Sequence, residues 1–218
     1  MKKAFFLLVF LSSIIADQSV SQQKWFWRSP IPKGNHLRAV QTVSSEVTIA
    51  VGDQGAIIKT TNGGSDWVDQ SSGTTVNLSG VSFVDSHIGV VVGDTGTVLR
   101  TTDGGGTWRP LVLATNNPLH SVAFVNPTVG TIVGEAGTIL RTTDGGETWV
   151  FQFGGPASAL YSVSFDDASN GTITGSIGTI LRTTNGGAKW NRQLSGTNHM
   201  LYSASFPDAN TGTAVGEF

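Results

Sequence analysis

The chain repeats itself with a period of about 40 residues. Trp67, Trp108, Trp149 and Trp190 recur at one constant interval, and Leu37, Leu78, Leu119, Leu160 and Leu201 keep the same interval without one insertion. Four full units and the opening part of a fifth are present. A period of roughly 20–50 residues marks a chain built from supersecondary units, each burying its apolar face only against its neighbours. Every position therefore has to be read as a member of a column that recurs around the fold.

Within the unit that begins at Leu78, Leu78 to Phe83 reads as a first strand, Ile88 to Gly93 as a second, Thr97 to Thr102 as a third and Thr107 to Leu111 as a fourth. Asp94-Thr95-Gly96 and Asp103-Gly104-Gly105 separate the last three, and such Asp/Gly sequences close hairpins because Gly takes positive φ without steric cost. Four short antiparallel strands in each such unit make one blade of a β-propeller. The glycines agree: most of the 28 fall in five columns, before the second strand, at its end, in the next turn, and as the Gly pair of the last turn. Phe83, Phe124, Phe165 and Phe206 share a core column, as do Val40, Val81, Val122 and Val163. Ala39, Gly80, Ser121, Ser162 and Ser203 are small enough to let the innermost strands approach one another.

Composition excludes two classes. Intrinsic disorder requires low hydrophobicity with high net charge, whereas this chain is 39% apolar with a formal charge of -2. Binding to a nucleic-acid backbone requires a basic surface, and a pI near 6.0 offers none. Lys2 and Lys3, the apolar run Ala4 to Ile15 and the small-x-small site Ser19-Val20-Ser21 read as a secretory signal over residues 1–21. The run is too short for a membrane span, which takes about 20 apolar residues. Without Cys there are no disulfides and no thiolate metal sites. His36, His87, His120 and His199 share no ligand spacing, so no metal or other cofactor is expected.

The last turn of each unit carries a recognisable motif. Thr101 to Trp108 and Thr142 to Trp149 fit S/T-x-D-x-G-x-T-W at every fixed position, while Thr60 to Trp67 and Thr183 to Trp190 have Asn62 and Asn185 in place of Asp. This is the Asp-box, or bacterial neuraminidase repeat, and the longer unit resembles the photosynthesis system II assembly/stability factor-like propellers over residues 24–218. The resemblance implies a non-catalytic assembly or binding scaffold. Sialidases and xyloglucanases carry the same box, so a carbohydrate-active enzyme or glycan-binding protein is the alternative. The boxes themselves are expected to be structural: the Asp or Asn accepts N–H bonds inside its own turn and the Trp wedges between blades.

The expected organisation is a signal at 1–21, a segment at 22–36 that closes the ring with Trp25, Phe26 and Trp27 at the phase of a fourth strand, and blades at 37–77, 78–118, 119–159, 160–200 and 201–218. The chain stops in the second strand of the fifth unit, before the Trp that the repeat would next supply. A seven-bladed relative would need about 90 more residues at this period, so the sequence reads as part of a larger propeller.

Topology puts the starts of the first strands and the second-to-third turns on one rim, and the boxes on the other. The first rim collects Arg38, Ser79, His120, Tyr161 and Tyr202, the most varied column of the repeat, next to the acidic turn residues Asp53, Asp94, Glu135 and Glu217. Variable positions on a fixed scaffold are where a binding surface is written. Arg38, His120, Tyr161, Tyr202, Asp53, Asp94 and Glu135 are thus the candidate contacts for a protein or cell-envelope polymer. An Asp before x-Gly can also simply cap its own turn, and both roles stay open at this point. Lys59, Arg100, Arg141 and Arg182 invite comparison with the arginine triad of sialidases, but equivalent positions on a ring cannot converge on one carboxylate. A pairing role between blades is expected for them.

Overall fold

The computed structural model describes residues 35–152, 156–206 and 211–217. The expected leader at 1–21 and the segment holding Trp25 to Trp27 lie outside the described residues. The fold is an all-β propeller array of antiparallel sheets, each strand hydrogen-bonded to the next in sequence. The first sheet contains β1 (Leu37–Thr42), β2 (Thr48–Gly52), β3 (Ile57–Thr60) and β4 (Val68–Gln70). The second contains β5 (Leu78–Phe83), β6 (Gly89–Gly93), β7 (Val98–Thr101) and β8 (Arg109–Leu111), and the third β9 (Leu119–Phe124), β10 (Gly130–Gly134), β11 (Ile139–Thr142) and β12 (Val150–Phe151). The fourth contains β13 (Leu160–Phe165), β14 (Gly171–Gly175), β15 (Ile180–Thr183) and β16 (Asn191–Gln193), and the fifth β17 (Leu201–Ser205) and β18 (Thr213–Gly216). Among the described residues there is no α-helix, and no helix is long and apolar enough to cross a membrane.

The core lies between the blades, not inside them. The β1, β5, β9, β13 and β17 strands neighbour one another in order, and each second strand packs on the first strand of the next sheet. One cluster joins Ile49, Val51 and Ile57 of the first sheet to Leu78, Phe83, Val91, Leu99 and Trp108 of the second; the next joins Val90, Val92 and Val98 to Leu119, Val122, Ile132 and Leu140. The small-residue column allows first strands to approach closely: a Cβ on Gly80 would meet His120 O at 3.2 Å, and Ser121 Oγ accepts from Val163 N–H at 3.3 Å; two residues on from Gly80, Ser82 Oγ accepts from Phe124 N–H at 3.3 Å.

The box Trp seals each of these clusters. Trp108 is buried and meets Phe83 edge-on with ring centroids 5.9 Å apart; the pairs Phe124–Trp149 and Phe165–Trp190 repeat the contact at the same distance. Trp67, Trp149 and Trp190 are half-buried.

Two members of the basic third-strand column bond blade to blade, as expected, whereas Arg141 Nε is buried without a hydrogen-bond partner among the described residues and Arg182 donates to Thr172 Oγ1 of its own sheet at 2.9 Å. Lys59 Nζ donates to Gly104 O at 2.8 Å and Arg100 Nε to Gly145 O at 3.0 Å, each reaching the box turn of the following sheet. Arg182 lies over the Phe206 ring, 4.4 Å from its centroid.

Candidate functional site

A single backbone device shapes the varied rim. In each sheet the second strand ends on a Gly against which the residue before the first strand leans: a Cβ on Gly93 would meet Asn77 O at 2.2 Å. The pairing slips at the same place. Leu78 faces Gly93 while Gly80 faces Val92, which leaves Ser79 as an extra residue, and the same slip frees Arg38, His120, Tyr161 and Tyr202. The varied column is therefore a column of β-bulges. A bulge breaks the alternation of the strand and re-aims one side chain, a device common beside functional sites.

The turn between second and third strands brings the acid to the bulge. Asp94 N–H donates to Asn77 O at 2.9 Å, and Thr97 N–H closes the turn on Asp94 O at 3.1 Å, with Thr95 and Gly96 both at positive φ. The acid side chain goes to the rim: Arg38 bonds Asp53, His120 Nε2 is 3.0 Å from Glu135 Oε1, and Tyr202 O–H donates to Glu217. In the second sheet, where the bulge is only Ser79, Asp94 accepts from Asn77 Nδ2 at 3.0 Å. The turn-capping alternative raised by the sequence does not describe these acids, because backbone N–H to C=O bonds already close the turns.

Three of the bulge residues come together. The rings of His120 and Tyr161 are 5.7 Å apart by centroid and those of Tyr161 and Tyr202 5.4 Å, forming one continuous aromatic strip across three blades. Both tyrosine hydroxyls also reach Met200 Sδ, at 3.6 and 3.5 Å. Arg38, Asp53 and Asp94 belong to the same rim but take no part in this strip. Sequence reasoning missed Asn77 and Met200. The signal that could have found the pairing is an offset: Arg38/Asp53, His120/Glu135 and Tyr202/Glu217 are complementary pairs 15 residues apart.

The opposite rim has the strongest electrostatic signature, with a local cause. Asp103 accepts from Thr107 N–H at 2.9 Å, Thr101 O–H at 2.7 Å and Thr107 O–H at 2.7 Å, which hold its carboxyl well below the usual range. Asp144 has the same partners. Burial pushes it up, but the Thr148 hydroxyl and N–H and the Thr142 hydroxyl together bring it down to about 2. Asn62 and Asn185 accept the corresponding N–H and hydroxyl bonds without a charge. These are turn networks satisfied from within. Among the described residues no group of His, Asp and Glu is arranged to hold a metal ion.

A propeller of four-stranded blades, with box turns on one side and a varied bulge column on the other, defines an Asp-box repeat β-propeller. The chain belongs to the photosynthesis system II assembly factor YCF48 family, whose profile matches residues 65–151 and 106–197, together more than half of its length. Solved structures of similar shape include YCF48 from Cyanidioschyzon merolae, at 19% identity and TM-score 0.68 over 89% of this chain and 71% of that one. YCF48 bound to D1 peptide gives 14% identity and TM-score 0.52 over 86% and 91%. A GH74 enzyme of Niastella koreensis gives 16% identity and TM-score 0.70 over 82% of this chain but only 33% of the enzyme. Identities this low establish the fold alone. No curated protein matches the chain.

Proposed function

We propose that the protein is a non-catalytic, extracytoplasmic propeller that binds a protein partner through the bulge rim. The observation that carries this reading is the strip His120–Tyr161–Tyr202 with Met200: aromatic residues at equivalent positions, re-aimed by bulges into one partly exposed surface. Tyr, Met and other amphipathic side chains on a rigid frame suit protein recognition because they lose little freedom when covered. The family membership and a YCF48 seen with a D1 peptide support a peptide or protein partner. The signal at residues 1–21 is the basis for the compartment.

The test is a photo-crosslinking residue placed at Tyr202 in one variant and at Asp103 in another, both produced with the leader in the native host. Adducts with a defined protein from the Tyr202 position, absent from Asp103, are expected, along with a mature N-terminus near Gln22. Hydrolysis of a β-glucan or sialoside by the purified protein would replace this reading with the enzymatic alternative.

A further inference from the structure

The bulge rim has a chemical pattern more specific than protein binding in general. The inference rests on the reading above and narrows it to one class of partner.

Val112, Ile177, Leu194, Met200 and Tyr202 are exposed apolar side chains at the starts of first strands, in the second-to-third turns or in the loops that join one sheet to the next, while Val68 and Val150 are exposed at the box end of the fourth strands. Ile177 and Leu194 line the same shallow depression of about 220 Å³ beside Gly178, with Arg192 of β16 on its wall. Ile177 is 61% exposed, and its φ is +55. A β-branched residue in that region is strained against its own backbone. The turn imposes the same φ on Gln54, Thr95 and Ala136, so what sets the fourth sheet apart is an exposed apolar side chain at a position where Asn or Gly would be less strained.

Charge on the rim is one-sided. The same turns, bulges and connecting loops contain Asp53, Asp94, Glu135 and Glu217, against Arg38 as their only Lys or Arg among the described residues, and the one further cation at the depression is Arg192 of β16. Each acid is engaged through one carboxylate oxygen in the bonds given above, and a carboxylate can accept several more. The acids also have an order. The fourth sheet carries Ser176 where the others carry an acid, and this is the sheet that displays Ile177, Leu194 and Tyr161. On the rim, the apolar residues of the fourth sheet thus sit between the sheet that carries Glu135, the third, and the one that carries Glu217, the fifth.

We infer that the rim of the third to fifth blades is a docking surface for an extended peptide segment with an apolar side chain flanked by lysine or arginine. The apolar side chain rests on Ile177 and Leu194. The flanking cations face Glu135 and Glu217 and the Tyr161 and Tyr202 rings, which attract cations through their quadrupoles.

The experiment is fluorescence anisotropy on the purified protein with three labelled hexapeptides: Lys-Lys-Leu-Leu-Lys-Lys, Glu-Glu-Leu-Leu-Glu-Glu and Lys-Lys-Ser-Ser-Lys-Lys. The first should bind and weaken as salt is raised, while the other two bind at least about tenfold less well. The double variant Glu135→Gln, Glu217→Gln should lose about five- to tenfold for the first peptide, since two exposed charge pairs are removed. Ile177→Asn should bind more weakly while melting at a higher temperature, a combination that damage to the fold cannot produce. Equal binding of the acidic peptide, lost on Ile177→Asn, would overturn the charge pattern while leaving the rim as a protein-binding face. Binding of the first peptide unaffected by these variants, or no binding of any peptide, would overturn the inference.

Discussion

Two kinds of acidic residue separate at the scale of single residues. Asp103 and Asp144 are anions held by their own turns, whereas Asp53 and Glu135 face bulge side chains on the other rim. The first kind ties stability to pH in a definite direction. Their carboxyls titrate lower in the fold than in the unfolded chain, where Asp titrates near about 3.9, so their contribution is complete above that value. It is lost as pH falls toward the folded value, about 2 for Asp144. Melting temperature should therefore drop between about pH 4 and pH 2. The double variant Asp103→Asn, Asp144→Asn, which copies the boxes of Asn62 and Asn185, should melt slightly lower at neutral pH and show a flatter acid limb. An unchanged acid limb would mean these turns do not govern acid stability. On the other rim the hydrogen bond from Tyr202 to the Glu217 carboxylate raises the phenol above its usual value. Absorbance titration of Glu217→Gln should show one phenol ionising at lower pH than in the parent.

At the scale of elements, the sequence was legible where physics repeats and opaque where it is broken. Strand positions, hairpin turns and the Phe and Trp columns all followed from period and turn chemistry, and the second sheet agrees with expectation to within about two residues at strand ends. The bulge was not legible. Leu78 and Gly80 read as ordinary alternation, and only the pairing with β6 reveals that Ser79 has no partner. Whether the acids served their own turns or the rim stayed open for the same reason, since their partners depend on that slip. The device can be tested directly. Gly93→Ala would place a Cβ 2.2 Å from Asn77 O, and the forced backbone shift should destabilise by about 2–3 kcal/mol in urea unfolding. Trp108→Ala empties the seal between the first and second sheets and should cost about 3–5 kcal/mol. Peptide binding by the protein that stays folded should be unaffected; its selective loss would move the functional face to the boxes.

At the scale of the whole molecule, stability comes from coupling between neighbours. Each sheet finds its core partners in the next, so the energy is close to a sum of nearest-neighbour terms. Arg100 is the clearest coupling residue: its side chain is 9% exposed, donates to Gly145 O, and lies 2.9 Å from Glu147. Arg100→Ala should destabilise by about 1–2 kcal/mol. Faster amide exchange in β7 and the third-sheet box turn than in β15 would be the readout. Arg100→Lys should recover part of the loss, as Lys59 makes the equivalent bond to Gly104. Exchange rising uniformly across the described sheets would show instead that the array unfolds as a single unit.

The bulge and its acidic partner sit 15 residues apart inside one repeat unit, never across two. A genetic exchange that swaps whole units in register would therefore carry both halves of the pair together. Sequences that drift by duplication and shuffling of units would inherit matched rim pairs ready-made, with no compensating mutation elsewhere. The bulge rim would then vary by recombination of intact cassettes, while the boxes and cores, built on the same columns in every unit, would stay matched to their neighbours.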